Sequence, residues 1–152
     1  MLISNLISES CVVTNLTGTN KNEVLHNLSI VFADILPEVS AEQILEIFKE
    51  RERLGSTGIG KGIAIPHGRM DGIKSPIAVF GRSVAGVQFK SNDGKPVHLL
   101  IALLSPTGSG KPHLQALATI SQLLNRESVR TRLMEAEDQR SLYRVMISEE
   151  NI

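Results

Sequence analysis

The sequence predicts an α/β protein, a single-domain sandwich in which a mixed, mostly five-stranded β-sheet carries helices on both faces. Three observations predict it. Apolar residues recur at helical spacing between about residues 20 and 54, strand-like apolar runs fill 63–104, and helical spacing resumes after Pro112.

Each element has its own signals. Asn20 and Glu23 form a capping-box-like pair ahead of a first helix, where Val24, Leu28, Val31 and Ile35 recur until Pro37 stops the pattern. Ser40 and Gln43 open a second helix, with Ile44, Ile47, Phe48 and Leu54 along one face and Gly55 in the position that favours a left-handed C-cap. Strands are predicted at "IAI" (63–65), "PIAVFGRSV" (76–84) and "GVQF" (86–89). The nearly all-apolar "VHLLIALL" (97–104) reads as a buried central strand. Pro112 suits the first turn of a third helix carrying Leu114, Leu117, Ser121 and Leu124, and two further helices are predicted at 128–136 and 139–148.

Composition narrows the function. The chain has 152 residues, enough to bury a core in one domain over 1–152, and its 16 basic and 16 acidic residues cancel. No basic stripe interleaved with aromatics is present, which argues against nucleic acid. The lone Cys11 allows neither an internal disulfide nor a thiolate cluster, and the chain shows no leader and no apolar run of membrane-spanning length. The expectation is a soluble, cytoplasmic protein without direct membrane insertion.

"GSTGIGKG" at 55–62 satisfies most of the phosphate-loop pattern, but Gly62 stands where a magnesium-binding hydroxyl belongs. Its flanks are also reversed: a helix enters and a strand leaves, so no helix amino terminus faces a nucleotide phosphate. "GSGKP" at 108–112 fails at the same hydroxyl position, where Pro112 stands. A nucleotide-binding enzyme is therefore the remote alternative, and no cofactor or metal is expected.

Three side chains are candidates for chemistry instead. His67 follows the glycine loop, where a neutral imidazole beside backbone donors suits an anion; the alternative is a turn histidine without chemistry. Arg51 lies seven residues after Ile44 and four after Ile47, on or beside the apolar stripe of the second helix. It either reaches a phosphoryl group through its fork of donors, or snorkels and complements the helix dipole. His113 opens the helix after the buried strand and is expected to point inward; a backbone-bonded helix-start histidine is the alternative. Ser56 and Thr57 either donate to an anion, with Gly58 and Gly60 shaping the loop, or satisfy the turn. Lys61 is read as a solvated tip, Glu50 and Glu52 as solvated surface, His26 as solvated, and His98 as held by a local hydrogen bond.

"RERLGSTGIGKGIAIPHGR", with a second histidine after the apolar strand in "LLIALLSPTGSGKPHLQAL", resembles the phosphorylation site of enzyme IIA domains of the bacterial phosphoenolpyruvate-dependent phosphotransferase system. The likeness is to the mannitol/fructose class, most closely its nitrogen-regulatory members, and it spans nearly the whole chain. The resemblance implies that His67 accepts phosphoryl on Nε2 from a phosphohistidine of a small HPr-like phosphocarrier such as NPr. It implies that Arg51 and His113 steady the phosphoryl oxygens, with Ser56, Thr57, Gly58 and Gly60 as the phosphate-binding loop. It also implies regulation of partners such as potassium-transport or sensor-kinase components according to phosphorylation state, or alternatively transfer to a sugar-specific IIB protein. The chain departs from the family at Lys61, often Asn, and at His98, often Asp in regulatory members.

Overall fold

The computed structural model describes residues 1–151, and Ile152 lies outside them. Two short 3-10 turns (Ile3–Asn5, Glu9–Cys11) lead into strand β1 (Val12–Val13). Helices α1 (Lys21–Ile35) and α2 (Ala41–Arg53) follow, then strands β2 (Gly58–Gly60), β3 (Ile63–Ala64), β4 (His67–Met70), β5 (Ile77–Val87) and β6 (Val97–Pro106). Helices α3 (Gly110–Leu124), α4 (Glu127–Glu135) and α5 (Gln139–Ser148) come next, and a 3-10 turn (Glu149–Asn151) closes the order. Among the described residues, no helix is long and apolar enough to cross a membrane.

The sheet is mixed, and it has six strands where about five were expected. β6 is central, antiparallel to β5 on one side and parallel to β3 and β4 on the other; β1 runs parallel to β5, and β2 antiparallel to β3. The strands that were not expected are β1, β2 and β4: the first two are two and three residues long, too short to leave a period-two pattern, and the third, "HGRM", has a single apolar side chain. Of the separate strand expected at 86–89, Gly86 and Val87 are instead the end of β5, whose pairing with β6 is irregular between Arg82 and Val87, and Gln88 and Phe89 lie beyond it. β3 and β4 lie along the same edge of β6, interrupted at Ile65–Pro66, and the Leu103 amide donates to the Pro66 carbonyl (2.8 Å) across the gap.

Side-chain alternation assigns the helices to faces. Gly81 and Gly68 pair with Leu100 and Leu104, and both glycines lie beneath helical or loop side chains, Gly81 under Leu28 and Leu16, Gly68 under Ile47. α1 and α2 therefore cover this face. They are joined by Phe32 and Phe48, both fully buried with ring centroids 5.8 Å apart, a tilted pair that adds about 0.5–1.5 kcal/mol beyond its buried area. Ser105 and Arg82 point to the opposite face, toward α3 and α4.

The helix starts follow the sequence signals. The Asn20 side chain accepts from the Glu23 amide (2.9 Å), and Ser40 and Gln43 close a full capping box. The buried stripe of α3 is His113, Ala116, Ile120, Leu123 and Leu124, one residue out of phase with the expected one, and Leu114 is exposed. The apolar content of α3 on both sides of the stripe hid its phase.

The glycine-rich stretch is a hairpin turn between β2 and β3. Gly60 and Gly62 have φ of 91° and 77°, and Lys61 between them also sits in the left-handed region at φ 59°, its amide donating to Asp93 Oδ2 (2.9 Å). A β-carbon in that region meets the following carbonyl, and only Gly, which has none, removes the contact. Lys61→Gly is expected to raise stability by about 0.5–1 kcal/mol, read as an upward shift of the thermal midpoint. A lower midpoint would show that the lysine side chain stabilises the turn.

Candidate functional site

α2 delivers the first functional group. Ile44, Phe48 and Arg51 fall on one side of the helix, so burying the first two brings the guanidinium to the sheet edge at β4. Leu54, expected on that stripe, is instead 84 % exposed, because the helix ends at Arg53 and the chain swings away at Gly55 (φ 145°). Arg51 Nη1 donates to the Gly55 carbonyl (2.9 Å), which leaves Nε directed at His67 Nε2 (3.3 Å).

That contact identifies the state of His67. Its Nδ1 lies 2.7 Å from the Ile65 carbonyl oxygen, which can only accept, so Nδ1 carries the proton. Nε2 is then a bare lone pair, accepting the Arg51 N–H. Burial chiefly lowers the basicity of the half-buried ring, and the Arg51 charge lowers it further, against the opposing Ile65 hydrogen bond. His67 is thus held neutral, in the tautomer that presents a nucleophilic Nε2.

His113, at the end of the first turn of α3, is 4 % exposed, with its ring centroid 5.8 Å from that of His67 and the planes tilted by 48°. Nδ1 lies 2.6 Å from Ser105 Oγ. Burial, then the charge of Arg69 and that of His67 once acid protonates its ring, push its pKa down to about 4. Arg69 stands two residues beyond His67 on β4, so both side chains leave the same face of the strand.

The depressed pKa has a thermodynamic sign. Between the ordinary histidine value of 6.5 and about 4, the unfolded chain binds a proton at residue 113 and the folded chain does not. The stability contributed by neutral His113 is present above pH 6.5 and is lost as pH falls toward 4. His113→Gln is expected to flatten this part of the stability curve in urea titrations at successive pH values. An unchanged slope would mean that residue 113 titrates alike in both states.

The glycine loop is braced by the segments on either side of it. Ser56 Oγ donates to the Phe89 carbonyl and accepts from the Gly58 amide (3.0 Å), while Thr57 gives both its amide (3.1 Å) and its hydroxyl to Glu52. Gly58 and Gly60 lie in β2, paired with Ala64 and Ile63. The geometry brings Arg51, His67 and His113 together, whereas the hydroxyls of Ser56 and Thr57 are spent on the Phe89 carbonyl and on Glu52 of α2. Glu52, read from the sequence as solvated surface, is a brace: its side chain is 8 % exposed and is paired to Lys21 Nζ (2.7 Å) as well as to Thr57. A charged run on a helix gave no sign of this, since the partners lie 31 residues before and five after it. Glu50 is exposed, as expected, and His98 is fixed by Nδ1 at 2.9 Å from the Ser83 carbonyl.

Ser105 and Arg69 were not singled out in the sequence. One signal for Ser105 was available, a polar residue closing a run of eight buried or half-buried strand positions just ahead of a helix that opens with histidine. The strand–loop–helix order absent at 55–62 is present here, with β6 entering and α3 leaving, so the positive end of a helix dipole stands beside the two imidazoles.

Comparison with known proteins agrees with this architecture. The chain is 38% identical over 149 residues to a nitrogen regulatory protein of Pseudomonas aeruginosa, covering 98% of this chain and 97% of that one. It is 35% identical over 139 residues to the fructose-specific EIIABC component of Bacillus subtilis, covering 91% of this chain and 22% of that one. The crystal structure of nitrogen regulatory protein IIA-Ntr from Neisseria meningitidis superposes with a TM-score of 0.88 at 30% identity, covering 95% of this chain and 98% of that one. The family model for the phosphoenolpyruvate-dependent sugar phosphotransferase system, EIIA 2, matches residues 5–149, and the chain belongs to that family.

Proposed function

We propose that this protein is a regulatory phosphocarrier that accepts a phosphoryl group on Nε2 of His67 from the phosphohistidine of an HPr-like protein. The observation that carries the reading is the bare Nε2 of His67, hydrogen-bonded by Arg51 Nε at 3.3 Å and faced by the His113 ring. In the transfer, the N–P bond of the donor imidazole breaks as the bond from Nε2 to phosphorus forms in line. The negative charge spread over the equatorial oxygens meets donors already in place, the Arg51 guanidinium and the His113 ring, beside the positive end of α3. His67 keeps its Nδ1 proton, so its ring becomes cationic, and the Ile65 carbonyl at 2.7 Å stabilises that charge. Arg51 passes from the nitrogen it bonds at rest to the oxygens that replace it.

The regulatory role draws support from the Pseudomonas and Neisseria relatives, which match this chain over nearly their whole lengths and are named for nitrogen regulation. A phosphoryl group adds a charge of about −1.5 to −2 at the mouth of the site, enough to change which protein surface docks there. The second reading, a fructose-type IIA component that passes phosphoryl to a IIB protein, is favoured by the match to the Bacillus fructose component.

The test is to incubate the chain, in separate samples, with phosphoenolpyruvate, enzyme I and an HPr-type carrier, and with ATP and magnesium. Acid-labile phosphate is expected only with the first set. Its absence there, or labelling by ATP alone, would overturn the reading. Rapid, complete discharge to a fructose-type IIB protein would favour the transport role.

A further inference from the structure

We propose that Ser105 is a positioning residue that fixes His113 in the Nε2–H tautomer, so that this ring meets the phosphoryl group as a neutral hydrogen-bond donor. The inference rests on the phosphocarrier reading for its function, but its physical content is independent of that reading.

Ser105 closes the buried stretch of β6, and no part of it reaches solvent. Among the described residues the one hydrogen-bond partner of its Oγ is His113 Nδ1, at 2.6 Å. Two arrangements of protons are possible across that contact. If Nδ1–H donates to Oγ, the serine O–H is left without a protein acceptor at a position closed to solvent, which is the costly kind of orphan. If the serine O–H donates to Nδ1, the serine proton is satisfied, and the imidazole proton must reside on Nε2, which is not among the buried side-chain atoms left without a partner. The second arrangement leaves nothing buried and unpaired except a spare oxygen lone pair, so it prevails.

The two histidines are thereby set to opposite tautomers by opposite anchors. A carbonyl, which can only accept, keeps the proton of His67 on Nδ1 and bares its Nε2. A hydroxyl with no other acceptor keeps Nδ1 of His113 bare and places the proton on Nε2. One ring then attacks phosphorus, and the other donates to a phosphoryl oxygen without competing for the group, because its free nitrogen edge has no lone pair to offer. Without the serine anchor the His113 ring would sample both tautomers, and in one of them it would turn a lone pair toward an anion.

The experiment uses 15N imidazole resonances of the unphosphorylated full chain, together with the rate of phosphoryl transfer from an HPr-type carrier. Native protein is expected to show His113 protonated at Nε2 and bare at Nδ1. Ser105→Ala is expected to give a tautomer mixture and roughly tenfold slower transfer, a smaller loss than deletion of a whole donor. Ser105→Thr, which keeps the hydroxyl, is expected to restore both. A proton on Nδ1 in the native chain overturns the proposal, and so does Ser105→Ala with an unchanged tautomer or an unchanged rate. If native protein took no phosphoryl group at all, the phosphocarrier reading would fail. The resonances, recorded without any donor, would still decide what Ser105 does to His113.

Discussion

His67→Ala is expected to carry no acid-labile phosphate under conditions that fully label the native chain. The loss is complete rather than partial because no other group near the site can substitute. His113 is the sole neighbouring imidazole among the described residues, and its Nδ1 is bonded within the core to Ser105. Its pKa of about 4 also marks a weaker base, hence a weaker nucleophile, than an ordinary imidazole. Arg51→Ala should behave differently. The acceptor nitrogen survives, but a donor aimed at the developing charge is gone, so transfer should slow by roughly 10²-fold. The thermal midpoint should move little, since Arg51 bonds only His67 and the Gly55 carbonyl at the half-exposed end of α2. Phosphate persisting on His67→Ala would show that another residue is the acceptor.

The largest effect on stability is expected at Arg82, far from this chemistry. Its side chain leaves β5 on the α3–α4 face, and the residue is 5 % exposed. Among the described residues no carboxylate pairs with it. Instead Nη1 donates to the carbonyls of Leu133 (2.8 Å) and Ala136 (2.5 Å), and Nε donates to that of Thr14 (3.2 Å). These are the carbonyls that the end of α4 leaves without partners, together with one from the segment after β1, so a single guanidinium caps a helix and ties it to the sheet. Arg82→Met keeps the apolar stem and leaves those carbonyls orphaned. Hydrogen bonds from a charged donor contribute about 1.5–3 kcal/mol each, so a loss on the order of 3–5 kcal/mol follows. For a chain of this size that corresponds to a fall in thermal midpoint on the order of 10 °C. A fall within a degree or two would mean that water replaces the guanidinium without penalty.

Arg82 also shows where sequence reading reaches its limit. In "PIAVFGRSV" it looks like a polar interruption of a strand, and its partners lie 51 and 54 residues further on. Local patterns carry the other side of the comparison. Capping residues at Asn20 and Ser40 located two helix starts, and the continuous apolar run at 97–104 located the central strand, because those signals lie within a few residues of what they determine. Arg51, His67 and His113 were legible as candidates through spacing and motif, and the fold brings them together. The bracing by Glu52 and the anchor at Ser105 were not, since each depends on what a distant segment presents: a lysine from α1, or an imidazole from the next helix. The phase of α3 was misread for a related reason. Leu114 and Leu117 fit a stripe as well as Ala116 and Ile120 do, and only packing against β6 selects between them.

The contact between Ile47 and Gly68 acts as a gauge. Ile47 rests on the backbone immediately after His67, where a β-carbon would overlap its Cγ2 methyl, and Arg51 projects from the next turn of the same helix. The separation between guanidinium and imidazole is therefore set by how closely a helix can seat on a strand that lacks one methyl group, rather than by the mobility of a loop. Any side chain at position 68 would act as a shim, lifting the helix and carrying the arginine away from the nitrogen it serves.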